Sequence, residues 1–407
     1  MSGVNYLIGS EDICTRPLRT FDERICALAA DFSTALLADG EIRTMPDALS
    51  LAFWCRKANI KRLRDARPPE ERRLGRGLAF HIAPANVPVN FAFSYIFSAL
   101  AGNANLVRAP SRPFSQVPAV IRVLKAVLSG HPEIEKRTAL ISYPADDEIT
   151  AAFCARADVR VIWGGDATVE KIRSLKSKPG CQDICFADRF SFAILDGRAV
   201  EEAGETALRT LARNFYNDTY LMDQNACSSP QIIFWRNAAG PGREKFWAAV
   251  EKEAAGRYRL QAASAVAKFD QSCREAVELA GLVKHIRRHG NLIYRLSLAG
   301  LPEEAETRLR GSCGYFYEYD LENFGLLKDL VSEKCQTVTY YGLDPEIIRD
   351  FVLDEGLTGI DRIVPVGSAM DIGLIWDGFD LIRSFSRLID LTYPKGMDGG
   401  CEKKTPS

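Results

Sequence analysis

Between residues 77 and 196 short apolar runs alternate with amphipathic stretches of helical period, and this alternation constrains the fold most. GLAFHI, NLVRAP, TALISYP, VRVIWGG and FSFAILDG read as strands. VNFAFSYIFSALAGN, VPAVIRVLKAVL, EITAAFCARA and TVEKIRSLKS read as the helices between them. A strand buried on both faces is a continuous apolar run, and parallel strands need a helical crossover to join them. The spacing therefore predicts a parallel sheet with helices on both faces. Gly102–Asn103 and Gly130 with Pro132 supply the helix stops.

A second α/β region is expected from about residue 205. TALRTLARNFY and REKFWAAVEKEAAGRY have helical spacing, and QIIFW, NLIYRLSL, YFYEY, QTVTYYG and RIVPV read as strands. The expected organisation is a helical N-terminal arm over 1–70 and a parallel-sheet domain over 71–204. A second α/β domain over 205–370 and a C-terminal return segment with a polar tail over 371–407 complete it. A length of 407 residues is too great for one simple core.

The formal net charge is −1, so no long-range field draws the chain to nucleic acid or to an anionic membrane. No apolar run approaches the length of a spanning helix, and the first residues lack the pattern of a signal peptide. The eleven cysteines are odd in number and scattered, which fits reduced thiols in a cytoplasm. Cys181 and Cys185 have no second pair or nearby His, so no metal site is expected.

Three segments can carry chemistry. In HIAPANVPVNFAF, Pro84 and Pro88 flank Asn86 before a helix. A fixed side-chain amide can donate to a developing oxyanion, worth about 3 kcal/mol when preorganised; the competing role is an ordinary turn or helix cap. In YLMDQNACSSPQIIFW, Cys227 stands among small residues just before a strand. Small neighbours let a substrate reach a nucleophilic sulfur; the competing role is a buried structural thiol. In VRVIWGGDATVEKIR, a strand runs through Gly164–Gly165 into a helix, where backbone N–H groups can approach a pyrophosphate. The competing role is a tight turn with Asp166 as the helix cap.

Taken in order, these segments resemble the aldehyde dehydrogenase superfamily. APANVPVNFAFS, MDQNACSSPQ, EKCQTVTYYG and GIDRIVPVG…IWDGFDLIRS are similar to its LuxC-type acyl-CoA reductases, known from bacterial bioluminescence, over residues of about 75 to 390. The resemblance implies an aldehyde dehydrogenase-like fold of two α/β domains, with a parallel-sheet cofactor domain, a catalytic domain and the active site in the crevice between them. It implies NADPH-dependent reduction of an acyl thioester, on CoA or a carrier and long-chain by type, to the aldehyde. Cys227 matches the nucleophile that forms the acyl-enzyme, and Asn86 matches the oxyanion amide. Arg108, Ser111 and Arg112 match the adenosine-ribose region, where the absence of an acidic residue permits a 2′-phosphate. Gly164 and Gly165 match the cofactor loop. His289, in RRHGNLIY, resembles a His-bearing loop of CoA-acylating relatives and is the candidate for proton transfer. An acyl-protein synthetase is the partner the resemblance implies, and homo-oligomers are usual in the superfamily.

Two departures carry weight. Phe186 stands where hydrolytic members have a general-base Glu, which favours a reductase. No clear counterpart exists for the Glu that holds the nicotinamide ribose, since Glu318 is expected inside a strand. The alternatives are an NAD(P)-dependent dehydrogenase that oxidises aldehyde to acid, a Cys-dependent acyltransferase or thioesterase, and a non-enzymatic binding subunit. A carboxylate within a water's reach of Cys227 would mark the first of these. Phe91, Phe93, Tyr95 and Phe97 are candidates for an acyl tunnel, with plain core as the competing role.

Overall fold

The computed structural model describes residues 3–68, 72–84, 87–238 and 240–392. The chain divides into two compact units, one of Met1–Ala187 with the stretch from Phe379 onward, the other of Asp188–Gly378.

In the first unit the strands are β1 (Asn5–Ile8), β2 (Arg73–Gly75), β3 (Leu78–Ile82), β4 (Ala104–Arg108), β5 (Thr138–Ser142), β6 (Val159–Trp163) and β7 (Gln182–Phe186). A six-stranded sheet has the order β1-β5-β4-β3-β6-β7. Its strands run parallel except β1, which lies antiparallel on β5. The chain proceeds outward from β3 in one direction and then resumes on its other side with β6. The order therefore reverses between β3 and β6, and in sheets of this kind ligands bind beyond the carboxyl ends of the strands at the reversal.

Helix Asn90–Leu100 is buried along its whole length from Phe91 on. It is apolar all round and so must sit inside the protein. Phe93 and Phe97 pack edge-on against Trp54, and the Tyr95 hydroxyl meets that of Thr138 at 3.0 Å. These aromatics are core. Gly102, at φ 93°, ends the helix in the left-handed turn that favours glycine. Asn103 then accepts from the Arg76 and Gly77 N–H groups at 2.6 and 3.2 Å and donates to the Phe385 carbonyl at 2.9 Å. One buried amide thus ties the sheet to the returning C-terminal stretch, where Ser386–Leu388 pairs antiparallel with β2.

In the second unit the strands are β8 (Phe190–Asp196), β9 (Pro230–Arg236), β10 (Val283–His289), β11 (Ile293–Leu298), β12 (Tyr315–Asp320), β13 (Cys335–Tyr341) and β14 (Arg362–Pro365). They form a seven-stranded sheet of order β10-β11-β12-β9-β8-β13-β14, parallel except for β10. Phe190, Phe192, Ile194 and Phe234 face one core, while Ala193, Leu195, Ile233 and Trp235 face the other. Both faces are covered, which is why FSFAIL and QIIFW are unbroken apolar runs. Each of the larger aliphatic and phenyl side chains contributes about 1.5–3 kcal/mol on burial.

The sequence-based boundaries need correction. FSFAILDG, expected to close the first sheet, is β8, a central strand of the second. The division therefore falls at residues 187/188 and not at 204/205, and residues 371–378 stay with the second unit. A buried apolar strand carries no mark of which sheet it joins, since only its neighbours decide that. Asn5–Ile8, inside the expected helical arm, is a strand because β5 leaves an open edge for it. Helices Glu23–Ala38, Pro46–Trp54 and Lys57–Asp65 form the rest of that arm.

Candidate active site

Cys227 lies in the turn between helix Glu205–Thr219 and β9. Most polar residues of the DQNACSSPQ string hold part of that turn. Asp223 and Gln224 adopt φ of 50° and 62°, which reverses the chain after the helix. The buried Gln224 amide donates to the Pro230 and Tyr315 carbonyls at 3.1 and 2.9 Å, and accepts from the Gly314 and Tyr315 N–H groups. Gln231 donates to the Gln224 carbonyl at 3.0 Å and accepts from the Gly311 N–H at 2.7 Å. Ser229 Oγ donates to the Asp218 carbonyl at 2.7 Å. From β8, Ser191 Oγ donates to the Cys227 carbonyl at 2.7 Å and accepts from the Thr337 N–H at 3.2 Å. Cys227 is thereby pinned at the amino ends of β8, β9 and β13.

The free thiol is half-buried and sits among polar groups. Gln336, fully buried at the start of β13, donates its Nε2 to Cys227 Sγ at 3.4 Å. The same nitrogen donates to Asp377 Oδ1. Thr337 Oγ1 donates to Gln336 Oε1 at 3.1 Å, which fixes the amide with its nitrogen toward sulfur and carboxylate. Burial pushes the Cys227 thiol up to about 11, and the charge of Asp377 adds to the rise. Gln336, Arg362 and the Ser228 N–H act the other way.

Arg362 binds the segment after β14, donating to the carbonyls of Ala369 at 3.2 Å, Ser368 at 3.3 Å and Asp371 at 2.9 Å. Its guanidinium lies 4.6 Å from the centre of the Trp376 ring. Met370, on that segment, accepts from Ser228 Oγ at 3.7 Å.

Among the other predicted site residues, Asn86 lies outside the described residues. His289 ends β10, three strands from β9 in the sheet order. Its Nδ1 meets Glu251 at 2.9 Å and its Nε2 faces Arg295 at 3.4 Å. The structure therefore does not bring it to the sulfur. The segment expected as a His-bearing loop is an exposed edge strand, because β11 offers an antiparallel partner.

The cofactor candidates lie in the first unit. Ile82, Arg108 and Ile162 are in register across β3, β4 and β6, so the segments after them leave the sheet at one edge. Arg108 is half-buried with its guanidinium 4.3 Å from the centre of the Tyr143 ring, and Ser111 and Arg112 are exposed. Gly165, not Asp166, caps helix Asp166–Ser174, and a glycine cap has no side chain to accept from the helix start. A Cβ on Gly164 would press on Thr168 at 3.0 Å, whereas Gly165 has open space around it. A diglycine turn at a glycine-capped helix start after β6, beside the order reversal, fits a dinucleotide phosphate, and Arg108 ends β4 on the same sheet edge. Asp166, in the first turn, is an opposing charge. Phe186 ends β7 buried, stacked on Trp163 with ring centres 3.7 Å apart. Glu318 is fully buried and accepts from Trp235, Trp247 and Arg295 at 2.8, 2.7 and 2.9 Å.

Sequence reasoning did not single out Gln336, Arg362, Asp377 or Asp218. The first three lie inside the blocks EKCQTVTYYG, GIDRIVPVG and IWDGFDLIRS.

Comparison with known proteins defines the class. The chain has the aldehyde dehydrogenase fold. It matches an acetylating aldehyde dehydrogenase from Geobacillus thermoglucosidasius with a TM-score of 0.63 at 13% identity, over 95% of this chain and 93% of that one. Aldehyde dehydrogenase 21 from Physcomitrella patens, in complex with succinate, matches with a TM-score of 0.61 at 13% identity, covering 90% of this chain and 85% of that one. Proline utilization A from Bdellovibrio bacteriovorus matches with a TM-score of 0.59 at 14% identity over 90% of this chain, which spans only 43% of that longer protein. No curated protein matches in sequence. The model of the LuxC family, described as acyl-CoA reductase, matches residues 47–272, more than half of the chain. The protein belongs to the LuxC acyl-CoA reductase family. Its chemistry is that of an oxidoreductase acting on acyl or aldehyde groups, and membership of this reductase family implies a nicotinamide cofactor. Among the described residues no helix is long and apolar enough to cross a membrane.

Proposed function

We propose that the protein reduces an acyl thioester to the aldehyde with NADPH through a covalent acyl-Cys227. The observation that carries this reading is the Cys227 thiol, half-buried on a clamped turn and hydrogen-bonded by Gln336 at 3.4 Å. The thiolate attacks the acyl carbonyl, the bond to the leaving thiol breaks, and the acyl group stays on sulfur. Asn86 and the Cys227 backbone N–H are the proposed oxyanion donors. Arg108, Ser111, Arg112, Gly164 and Gly165 would hold NADPH, which supplies the hydride when bound. After reduction the carbon–sulfur bond breaks, releasing aldehyde and thiolate. Phe186 offers no proton acceptor to activate water, in keeping with a reductase.

The proposed donor is a long-chain acyl group on CoA or a carrier protein, with an acyl-protein synthetase as the partner that delivers it. The reading includes a cytoplasmic homo-oligomer.

The test is intact-mass detection of an acyl adduct from a panel of thioesters, followed by its loss and the appearance of aldehyde on adding NADPH. Full aldehyde formation by Cys227→Ala or Cys227→Ser would remove the covalent route.

One observation favours a second reading, oxidation of aldehyde to acid. Asp377 shares a donor with the sulfur and is within a water's reach of it. An acyl adduct that hydrolyses faster than it is reduced would support this reading.

A further inference from the structure

The thiol and the Asp377 carboxylate are bound by one amide nitrogen. Two acceptors on the same NH₂ group stand about 5 Å apart, the span of one bridging water. Asp377 is buried, at 6% exposure. It sits in a turn with Gly378 in which both residues have positive φ, 46° and 73°, the pattern of a two-residue Asp-Gly turn. Its other oxygen faces Arg189 Nε at 3.6 Å. Among the described residues, Arg362, Asp361 and Cys227 also act on it. Burial pushes its carboxyl up to about 6, with Arg189 and Gln336 opposing the rise.

A thiol held near 11 is not a standing thiolate at neutral pH, so acyl transfer requires a proton acceptor. The four histidines are otherwise engaged or exposed. His81 is bonded through both ring nitrogens to Ser94 and Asn105, at 2.7 and 3.0 Å. His131 meets Asp31, His289 meets Glu251, and His285 is exposed on β10.

We propose that Asp377 is the proton acceptor for Cys227, working across one water, and that it returns the proton to the leaving thiol. The Cys227 S–H bond breaks as the S–C bond forms. The thioester C–S bond then breaks as the S–H bond of the leaving thiol forms, and no redox change occurs. The inference rests on Cys227 being the acylated nucleophile, and it gives the carboxylate a role in acyl transfer instead of hydrolysis.

The test is single-turnover acylation of the full chain by dodecanoyl-CoA, read by intact mass from pH 5 to 9. Wild-type acylation is expected to rise through an acid limb near pH 6. In Asp377→Asn, which suits the positive φ and keeps an acceptor for Gln336, the limb disappears and the rate at pH 7 falls by about 100-fold. Iodoacetamide alkylation of Cys227 at a pH of about 10.5, where solvent hydroxide deprotonates the thiol, needs no such acceptor. It stays equal to wild type or becomes faster, which shows that the site is intact. In Asp377→Ala, added formate restores part of the acylation rate.

Acylation of Asp377→Asn within about twofold of wild type overturns the inference, as does a wild-type profile without the acid limb. Normal acylation with slower adduct hydrolysis overturns it too, and assigns Asp377 to water activation. A wild-type protein that forms no Cys227 adduct sinks the proposed function itself, whereas a defect that fails to appear in the Asp377 variants removes this inference alone.

Discussion

The carboxylate of Asp218 accepts from the backbone N–H of Gly367 at 2.6 Å, and its other oxygen accepts from the Ala369 N–H at 3.0 Å. A buried acid at the end of one helix thus shapes the loop that Arg362 holds from the other side. The Asp218 carbonyl also accepts from Ser229, two residues after Cys227. The loop and the Cys227 turn share one anchor.

Gly367 has φ 105°, and a Cβ there would stand 2.7 Å from Asn214 Cβ. Gly367→Ala is expected to cost about 1–3 kcal/mol and to loosen the loop beside Cys227. Urea unfolding measures the first effect and Cys227 alkylation the second. A change under about 0.5 kcal/mol would show that the loop tolerates a side chain.

Burial raises the Asp218 carboxyl to about 7 against the two N–H groups that it accepts. A carboxyl held above its unfolded value favours the protonated folded protein. Its contribution is whole below about pH 4 and is lost as pH rises through 7, on the order of 2–4 kcal/mol. Melting temperature should therefore drop more between pH 5 and 8 in wild type than in Asp218→Asn. Equal slopes in the two proteins would refute this.

Gln336→Leu removes the donor to sulfur and leaves Asp377 with Arg189. The thiol should rise further, and alkylation by iodoacetamide at pH 8 should slow about tenfold. Unchanged alkylation would mean that the amide does not stabilise the thiolate.

Arg112 is exposed beyond β4. If it faces a 2′-phosphate, Arg112→Glu weakens NADPH binding about tenfold and NADH binding less than twofold. Titration calorimetry with both nucleotides decides it, and equal losses would remove Arg112 from the phosphate site.

Glu318 accepts from two indoles and a guanidinium with no exposure to solvent. Glu318→Gln should destabilise by about 3–5 kcal/mol, since Arg295, which also pairs with the half-exposed Glu244, loses the charge of its buried partner. Cofactor affinity of the folded fraction should stay the same. A selective loss of cofactor affinity instead would give Glu318 a ribose-binding role.

The sequence by itself determined most of the strands and helices and made the Cys227 segment stand out. Apolar runs such as VRVIW and helices such as VPAVIRVLKAVL are local patterns, set by side-chain period and stopped by Gly and Pro, so they need no knowledge of distant residues. DQNACSSPQ was legible because its small and polar residues sit together in the chain. Only the tertiary structure decided that FSFAILDG belongs to the second sheet, that Asn5–Ile8 is a strand and that His289 faces Glu251. It also decided that Gln336 and Asp377, more than a hundred residues beyond Cys227, face the sulfur and each other. Those outcomes depend on open sheet edges and on which strand ends lie side by side. Burial strengthens the polar contacts that result, but no spacing along the chain encodes which ends will meet.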